Sequence, residues 1–417
     1  MSAPILAVIG GGQLARMMQE EASALGIHLR TLVEASDGSA AQVTVDAPVG
    51  RATDADAVRA LVAGARALTF EHEHQDSALL SRLQAEGVRV RPAPEALELA
   101  RDKLAMRRAV DAAGLPQPAW AEIAGDAQEM RAQVLAFAAA HGWPVVLKTP
   151  RGGYDGHGVL MLSSAADLDD GDAAAWLKAT AEARAGRATI GTGGGGSLGG
   201  GAVTSLLVEE AIPFTRELAV LLARRPSGQI ALWPVIESVQ ADGICVETVA
   251  PAPGLDAAAV RQAEHIGRTI AERADVTGVL AVELFAVEGS AATGLYVNEL
   301  AMRPHNSGHW TQDGAVTSQF AQHLRAVLDL PLGATTPTAP ATVMVNFLGG
   351  ERQAPADALT RALALEPEAR IHLYGKQWRP GRKLGHVSMT TTATDPEGIA
   401  AVRERLRAVV AILRGEA

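Results

Sequence analysis

The chain has 417 residues, of which 48% are hydrophobic and 20% charged, and a formal net charge of −10. This length is too great for one compact core and indicates roughly two to four packed domains. The acidic balance argues against a nucleic-acid partner, because general nucleic-acid binders normally present a basic surface. The single cysteine, Cys245, rules out an internal disulfide and suits a reducing compartment.

Membrane and secretion signals are the next features to consider. No stretch approaches the roughly 18 consecutive apolar residues that a membrane helix needs. The first residues also lack the basic leader that is typical of a signal peptide. We therefore expect a cytoplasmic protein with no membrane partner.

The first hundred residues alternate short apolar runs with helical periodicity. The pattern predicts strands at 5–9, 29–34 and 67–70 and helices at 13–25, 54–63 and 77–86. Alternation of this kind is typical of a parallel sheet with helices on both faces. The fold class is therefore α/β in this part, with a Rossmann-like parallel-sheet domain.

The middle of the chain has a different pattern. A helix is predicted at 102–113, and strands separated by short loops are predicted at 145–149, 206–210, 217–223, 230–235 and 246–250. Short connections between strands favour antiparallel sheets and an α+β arrangement. The later part shows a long helix at 256–274, a linker at 331–340, and a small strand-rich unit that ends in a helix at 395–414.

Residues 190–202 consist almost entirely of glycine, with threonine and serine. Such a segment buries too little apolar surface to offset its ordering entropy, so we expect a loop. A phosphate-binding loop would need a following Gly-Lys-Ser/Thr, which is absent.

A first glycine loop, Gly10 to Ala15, follows a strand and opens a helix. It fits Gly-x-Gly-x-x-Ala, and Glu34 ends the next predicted strand. Glycines at these places allow an anion to approach the amides of a helix N-terminus. The anion could belong to a nicotinamide dinucleotide or to the phosphate of a ribonucleotide, and the loop alone does not decide between them.

A second glycine loop lies at 151–158, directly after a strand that ends at Lys148. Its glycines allow successive backbone amides to form a nest for a polyphosphate, and Lys148 adds a charge. Lys103 could supply another. The alternative is a plain hairpin turn with a solvated lysine.

Two carboxylates are predicted to face each other. Strands at 280–287 and 295–300 flank a turn, and a hairpin centred on Ala291 places Glu283 opposite Glu299. Like charges at such positions, with Cβ atoms about 4.5–5.5 Å apart, are destabilising unless they share a proton or hold a cation. Hard oxygen ligands favour Mg²⁺, and Asn298 adds an oxygen. In a different register, Glu299 would face water.

A polar cluster follows this hairpin. Arg303, His305, Asn306 and Ser307 lie within five residues of one another. Arginine and asparagine donors beside a metal suit a small planar oxyanion.

Further motifs extend along nearly the whole chain. They are Gly-Gly-Gly-Gln-Leu-Ala-Arg at 10–16, Phe-Glu-His-Glu at 70–73, Gly-Gly-Tyr-Asp-Gly-His-Gly at 152–158, Val-Glu-Glu at 208–210, Asn-Glu-Leu-Ala-Met-Arg-Pro-His-Asn-Ser-Gly-His-Trp-Thr at 298–311 and Arg-Pro-Gly-Arg-Lys-Leu-Gly-His at 379–386. In this order they resemble the ATP-grasp superfamily and, within it, the 5-(carboxyamino)imidazole ribonucleotide synthases of purine biosynthesis. Two positions depart from that family's pattern: Met302, where proline is expected, and His157, where a lysine or arginine is more usual.

The resemblance implies an ATP-grasp fold and a domain organisation. The implied domains are an N-terminal Rossmann-like domain at 1–102, a lid lobe with the glycine-rich loop at 103–206, a catalytic lobe at 207–335 and a small C-terminal domain at 341–417. It also suggests a homodimer.

The resemblance further implies the residues of the site. Those implied to bind ATP are Lys103, Lys148, Gly153, Tyr154, Asp155, Gly156, His157, Gly158, Glu209, Glu210, Ala211, Ile212, Glu217, Gln240, Asn298 and Glu299. Glu283 and Glu299 match magnesium ligands, in agreement with the hairpin argument. The residues implied to bind bicarbonate, or the carboxyphosphate made from it, are Tyr154, Arg303, His305 and Asn306. Those implied to bind the ribonucleotide are Gly12, Gln13, Leu14, Glu73, Lys376, Arg382 and Lys383, with its phosphate near the first glycine loop.

The implied reaction is an ATP- and bicarbonate-dependent carboxylation of the exocyclic amine of 5-aminoimidazole ribonucleotide. Three alternatives stay open at this stage. One is another ATP-grasp ligase that uses formate or an amino acid. The second is a nicotinamide oxidoreductase that uses the first glycine loop, and the third is a nucleotide-sensing protein with an inactive site.

Overall fold

The computed structural model describes residues 3–152, 158–186, 203–241, 243–287, 289 and 294–416. The N-terminal part consists of β1 (Ile5–Ile9), α1 (Gln13–Ala24), β2 (His28–Leu32), α2 (Ala55–Val62), β3 (Ala67–Phe70), α3 (Ser77–Ala85), α4 (Pro94–Arg101) and α5 (Lys103–Ala113). Its strands form a parallel sheet in the order β2-β1-β3, which confirms the predicted parallel sheet. Helix α4 was not predicted; it begins at a proline, which costs no hydrogen bond in the first turn of a helix.

Local signals define these helices. The side chains of Asp54, Asp76 and Asp102 accept hydrogen bonds from backbone amides at the starts of α2, α3 and α5. Gly114 ends α5 with φ 66°, in the left-handed region that favours glycine. Sequence periodicity and capping therefore place these helices almost as predicted.

The next part contains a four-stranded antiparallel sheet. Its elements are β4 (Trp120–Ile123), α6 (Ala127–His141), β5 (Val145–Lys148), β6 (Val159–Leu162), α7 (Gly171–Arg184) and β7 (Leu206–Glu210). The strand order is β4-β7-β5-β6, so the second glycine loop joins two neighbouring strands, β5 and β6. Gly153, Tyr154, Asp155, Gly156 and His157 of that loop, and the glycine-rich segment at 190–202, lie outside the described residues.

The remainder of the chain builds a larger antiparallel sheet. Its elements are β8 (Arg216–Arg224), β9 (Ile230–Leu232), β10 (Ile236–Ala241), β11 (Ile244–Ala250), α8 (Ala257–Arg273), β12 (Gly278–Val287), β13 (Gly294–Ala301), α9 (Thr311–Gly314), α10 (Gln319–Val327), β14 (Ala341–Leu348), α11 (Ala358–Leu365), β15 (Arg370–Leu373), β16 (Lys383–Thr391) and α12 (Pro396–Leu413). The sheet has nine strands in the order β13-β12-β8-β10-β11-β14-β16-β15, with β9 paired to β8.

This sheet continues across two of the predicted domains. Strand β14, after residue 340, pairs with β11, before residue 335, so the C-terminal strands extend the sheet of the preceding part. The segment at 331–340 is not a free linker, because Thr336 O accepts from Val316 N at 2.9 Å and Thr338 N donates to Gly314 O at 2.9 Å. The domain boundaries themselves stay predictions.

A shared core fixes the N-terminal part against the large sheet. One cluster of buried side chains includes Leu68 and Phe70 of β3, Met106 of α5, and Leu280 and Val297 of the large sheet. Burial of this kind, at roughly 25 cal/mol per Å² of apolar surface, holds the two parts together. In the part of the chain that the structure describes, no helix is both long and apolar enough to cross a membrane.

Candidate active site

A cavity of about 830 Å³ lies where the four-stranded sheet meets the nine-stranded sheet. The predicted site residues that line it are Glu73, Lys103, Lys148, Glu209, Glu210, Ala211, Ile212, Glu217, Gln240, Glu283, Asn298, Glu299, Arg303, His305, Asn306 and Lys383. These residues come from positions more than 300 apart in the sequence, and the fold gathers them around one space. We call it the large cavity.

The two predicted carboxylates are cross-strand partners. Glu283 on β12 pairs directly with Glu299 on β13, which confirms the predicted register for this pair. A bulge follows Glu283, so that Leu284 pairs with Val297 and the rest of the hairpin is offset by one residue. Extra residues of this kind are common beside functional sites, where they redirect side chains.

The two carboxylates differ in their affinity for protons. Burial, and then the charge of Glu299, raise the pKa of Glu283 to about 8. Burial would also raise the pKa of Glu299, but Lys103 and Lys148 outweigh it and the pKa is lowered. Lys103 Nζ lies 2.6 Å from Glu299 Oε1. The pair thus holds a proton on Glu283 unless a further positive charge arrives.

This arrangement fits a magnesium ion. Two carboxyl groups face the cavity beside Asn298, and Mg²⁺ commonly uses one or two carboxylates together with phosphate oxygens. Within the described ranges, no group of three or more histidine, cysteine, aspartate or glutamate side chains could hold a metal ion. A cation at Glu283 and Glu299 would therefore need other ligands, such as the phosphates of a nucleotide.

A buried ion triad supports one wall of the large cavity. Glu209 Oε1 accepts from Arg107 Nε at 2.6 Å, and Glu209 Oε2 lies 2.7 Å from Lys148 Nζ. Burial would raise the pKa of Glu209, but Lys148 and Arg107 lower it to about 2. Arg107 Nη1 also donates to Val297 O at 2.7 Å, so the triad joins α5, β5 and β7 to β13.

The triad changes how Glu209 can take part in the site. Its side chain is engaged in ion pairs, and its backbone lies between β4 and β5 as the partner of Trp120 and Val146. Ala211 and Ile212 follow the end of β7 and also line the cavity. The backbone groups of Ala211 and Ile212 are therefore better placed than those of Glu209 to hydrogen-bond a planar ligand in the large cavity.

The polar cluster after β13 faces the two carboxylates. Arg303 Nε donates to Glu73 Oε2 at 2.8 Å, and His305 Nε2 lies 3.4 Å from Glu283 Oε1. Burial first, then Arg303 and Lys383, lower the pKa of His305 to about 3, so this ring is neutral. Among the described residues, Asn306 Nδ2 is buried without a hydrogen-bond partner. Asn306 also lines the large cavity, and a buried polar group without a partner needs an explanation, such as a contact made only when a ligand is bound.

Gln319 on α10 holds the loop that carries this cluster. Its Oε1 accepts from His305 N at 2.8 Å, and its Nε2 donates to His305 O at 2.8 Å and lies 2.9 Å from His309 Nδ1. Gln319 is fully buried. No sequence signal identifies Gln319, because no spacing relates a glutamine on one helix to the backbone of a loop fourteen residues earlier.

A second cavity of about 320 Å³ contains the first glycine loop, and we call it the small cavity. Gly10 to Gly12, Glu71, Lys376 and Arg382 line it, and Lys376 Nζ donates to Gln13 Oε1. The implied ribonucleotide residues therefore do not share one cavity. Glu73 and Lys383 line the large cavity instead, and Leu14 is buried in the core because it lies on the inner face of α1.

Comparisons with known proteins agree with this layout. The ribonucleotide synthetase preATP-grasp domain matches residues 4–101, the ATP-grasp domain matches 108–320, and the phosphoribosylaminoimidazole carboxylase C-terminal domain matches 342–400. A relative from Mycobacterium tuberculosis, named N5-carboxyaminoimidazole ribonucleotide synthase, is 47% identical over 390 residues, which cover 93% of this chain and 83% of the relative. The chain belongs to the N5-carboxyaminoimidazole ribonucleotide synthase family.

Solved N5-carboxyaminoimidazole ribonucleotide synthases share the fold. The Thermus thermophilus structure is 33% identical with a TM-score of 0.79, and the match covers 99% of both chains. The Aspergillus clavatus enzyme in complex with ADP and 5-aminoimidazole ribonucleotide is 28% identical with a TM-score of 0.80, again over 99% of both chains. The ATP-grasp fold predicted for this family member is confirmed.

Three residues that support this synthase-family site were not singled out from the sequence. Arg107 and Gln319 act through contacts with distant elements, and no local pattern identifies them. Glu71 is different, because it lies in the quoted Phe-Glu-His-Glu run at the end of a buried strand. A carboxylate directly after a parallel strand, beside a glycine loop, is a signal that could have identified it.

Proposed function

We propose that this chain is an ATP-dependent carbon–nitrogen ligase that uses bicarbonate to carboxylate the exocyclic amine of 5-aminoimidazole ribonucleotide. The products are N5-carboxyaminoimidazole ribonucleotide, ADP and phosphate, in purine biosynthesis. The observation that carries the proposal is the opposed pair Glu283 and Glu299 in a cavity shared with Lys148 and Arg303. Membership of the synthase family supports the identity of the acceptor.

The nucleotide belongs in the large cavity. Lys103 and Lys148 would contact its phosphates, and the loop at 153–158 would cover them. Ala211 and Ile212 would meet the adenine beside Phe214 and Phe285, whose stacked rings lie 4.4 Å apart and line the same cavity.

The ribose and the metal complete the nucleotide site. Glu217 and Gln240, which also line the large cavity, would hold the ribose. Glu283, Glu299 and Asn298 would hold Mg²⁺, which supplies charge neutralisation to the phosphate oxygens.

Bicarbonate belongs at the polar cluster. Arg303 and the unpartnered amide of Asn306 offer donors for a planar oxyanion, and Tyr154 is the further residue proposed there. Hydroxide is a poor leaving group, so bicarbonate must first be phosphorylated by ATP to carboxyphosphate. Arg303 would stabilise the developing charge, because a fixed cation in an enclosed site needs no reorganisation.

The carboxyl then passes to the exocyclic amine of the ribonucleotide, which loses a proton. His305, with its pKa of about 3, is a weak base. The departing phosphate is therefore the better acceptor of this proton. Closure of the 153–158 loop would protect carboxyphosphate from water.

The ribonucleotide would span the two cavities. Glu71 lines the small cavity and Glu73 the large one, and Arg382 and Lys383 are divided in the same way. A ligand held by Lys376 and Arg382 in the small cavity would thus extend past residues 71–73 and 382–383 into the large cavity. Its amine would then lie toward Arg303.

A coupled assay of ADP release tests the proposal. We expect ADP release that requires both 5-aminoimidazole ribonucleotide and bicarbonate. Activity with formate or an amino acid in place of bicarbonate would instead identify a different ATP-grasp ligase.

We also propose a cytoplasmic homodimer. Light scattering should give twice the chain mass of 43.3 kDa.

Replacing Gln319 with methionine should weaken bicarbonate binding selectively. The change removes the bonds that hold both backbone groups of His305, so Arg303 and Asn306 lose their fixed positions. We expect the KM for bicarbonate to rise by about tenfold or more, while the KM for ATP changes by less than about twofold.

Gln322→Met is the matched control for this prediction. Gln322 is equally buried on α10, but it binds the backbone of Gly333 at 2.8 and 2.9 Å, away from the cluster. Both variants lose a buried clamp of similar strength. An equal change in the bicarbonate KM of the two variants would mean that Gln319 has no positioning role.

Ribonucleotide use should decline at alkaline pH. Burial lowers the pKa of Lys376 to about 8, with Arg382 and Lys383 adding to the effect and Glu71 opposing it. An anionic substrate binds to the protonated, positively charged side chain of Lys376. The kcat/KM for the ribonucleotide should therefore fall as pH rises through about 8, approaching a tenfold fall per pH unit. Lys376→Arg should move this decline to higher pH. An unchanged decline in that variant would assign it to another group.

A further inference from the structure

Arg151 begins the second glycine loop, three residues after the end of β5, and contacts carboxylates on two other elements. Its Nε donates to Asp102 Oδ2 at 2.8 Å, and its Nη2 donates to Glu98 Oε1. Glu98 belongs to α4, and Asp102 is the N-cap residue of α5. One guanidinium, with its fixed fork of donors, therefore ties the stem of the loop to the two helices that precede the four-stranded sheet.

Asp102 uses its two side-chain oxygens for different contacts. Oδ1 accepts from Ala105 N at 3.0 Å and so caps α5, while Oδ2 accepts from Arg151. The first residue of α5 is Lys103, whose backbone N donates to Pro150 O at 2.9 Å. A backbone contact and a side-chain contact thus hold the start of α5 against the end of β5.

The same two element ends carry the lysines that are proposed to contact the nucleotide phosphates. Lys103 opens α5, Lys148 closes β5, and both line the large cavity. They reach it from different elements, so their separation depends on how the four-stranded sheet sits against α5. The Arg151 contacts hold that relation one residue before Lys103 and three residues after Lys148.

The guanidinium of Arg151 lies outside the nucleotide space. Among the described residues of the loop stem, Pro150 and Gly152 line the large cavity and Arg151 between them does not. Its side chain is 52% exposed, and its charge is offset by the two carboxylates that it contacts. Its geometry therefore suits a role in placing other groups better than a direct contact with phosphate.

We infer that Arg151 is a positioning residue of the nucleotide site: its two ion pairs align Lys103 with Lys148, so that both meet the same phosphate groups. The inference rests on the nucleotide site of the proposed function. Ion pairs that are open to solvent contribute little to the free energy of unfolding. The effect of Arg151 should therefore appear in nucleotide affinity, because small misplacements of binding groups are costly.

Calorimetric titration with the β,γ-imido analogue of ATP and Mg²⁺, without bicarbonate or ribonucleotide, tests the inference. Arg151→Met should weaken binding by about fivefold or more, and Arg151→Lys, which offers no fork of donors, by less. Arg131→Met is the matched control. Arg131 also makes an exposed two-donor ion pair, with Asp169, but away from both lysines, so this variant should match wild type within about twofold.

Glu98→Gln separates positioning from direct attraction of phosphate by charge. This change removes a negative charge, so electrostatics alone predicts equal or tighter binding of an anionic nucleotide. If Arg151 acts by positioning, the loss of its ion pair should instead weaken binding by about threefold. Glu95→Gln removes a charge from the exposed face of the same helix and should bind the analogue no more weakly than wild type.

Adenosine is the second probe, because it lacks the phosphates that the two lysines would contact. Its affinity, measured by displacement of the analogue, should stay within about twofold of wild type in every variant. A general disturbance of the site would weaken adenosine and the analogue alike, whereas misaligned lysines weaken only the analogue.

Three results would overturn the inference. One is binding of the analogue by Glu98→Gln at least as tight as by Glu95→Gln, which would mean that Arg151 acts through its charge. Another is equal affinity of Arg151→Met and Arg131→Met, and the third is a loss of adenosine binding as large as that of the analogue. If Arg151→Met does not fold, Glu98→Gln decides by the same criteria. Absence of analogue binding by wild type would instead reject the nucleotide site and the inference together.

Discussion

Glu299→Gln should leave the chain folded and abolish bicarbonate-dependent ADP release. The substitution keeps the shape of the side chain but removes one of the two charges that would hold Mg²⁺, and it weakens the contact with Lys103. Loss of a metal ligand removes charge stabilisation of the transition state, so we expect a fall in kcat of at least about a hundredfold. The measurement is the coupled ADP assay across a magnesium titration.

The stability of this variant separates loss of function from loss of fold. The Glu299 side chain is 39% exposed toward the cavity, so its ion pair with Lys103 contributes at most about 1 kcal/mol to the free energy of unfolding. Glu272→Gln, on the exposed face of α8, is the control for removal of a carboxylate elsewhere and should keep full activity. If Glu299→Gln retains more than about a tenth of the rate, Glu299 is not an essential metal ligand.

Arg107→Met should cause the largest loss of stability among these variants. Arg107 is fully buried, and its removal leaves the Glu209 carboxylate buried with Lys148 as its remaining ion-pair partner. Breaking a buried ion pair by removing one partner typically costs about 3–5 kcal/mol. Urea unfolding followed by circular dichroism measures this loss.

Arg108→Met is the matched control for Arg107→Met. Arg108 is the next residue of α5, its side chain is 57% exposed, and it pairs with Glu122 on the surface. We expect the free energy of unfolding of this variant to differ from that of the wild type by less than about 1 kcal/mol. Equal losses in the two variants would mean that the buried triad contributes nothing beyond helix α5 itself.

Acid should weaken the same triad. The pKa of Glu209 in the folded chain is about 2, below its ordinary value of 4.5. A lowered pKa contributes stability that is complete above about pH 4.5 and is lost as pH falls toward 2. In Arg107→Met this contribution shrinks, because one of the two cations that hold the pKa down is absent.

The sequence alone determined the local features of this protein. Apolar alternation and helical periodicity report neighbours two to four residues apart, so β1, α1, β3, β7 and α8 could be placed within a residue or two. The pairing of Glu283 with Glu299 was also predicted correctly, although only the structure shows the bulge that offsets the rest of the hairpin by one residue. The long motifs then allowed the family to be recognised.

Only the tertiary structure decided how these local pieces meet. Glu71 contacts the amides of α1 across more than fifty residues, Arg107 contacts Glu209 across 102, and β14 extends a sheet whose other strands come from the preceding part. Such contacts depend on the packing of whole elements against one another, and neither periodicity nor motif spacing carries that information. Hence the sequence predicted an ATP site with two opposed carboxylates, whereas the capping of α1 by the Glu71 carboxylate became visible only once β3 lay beside α1.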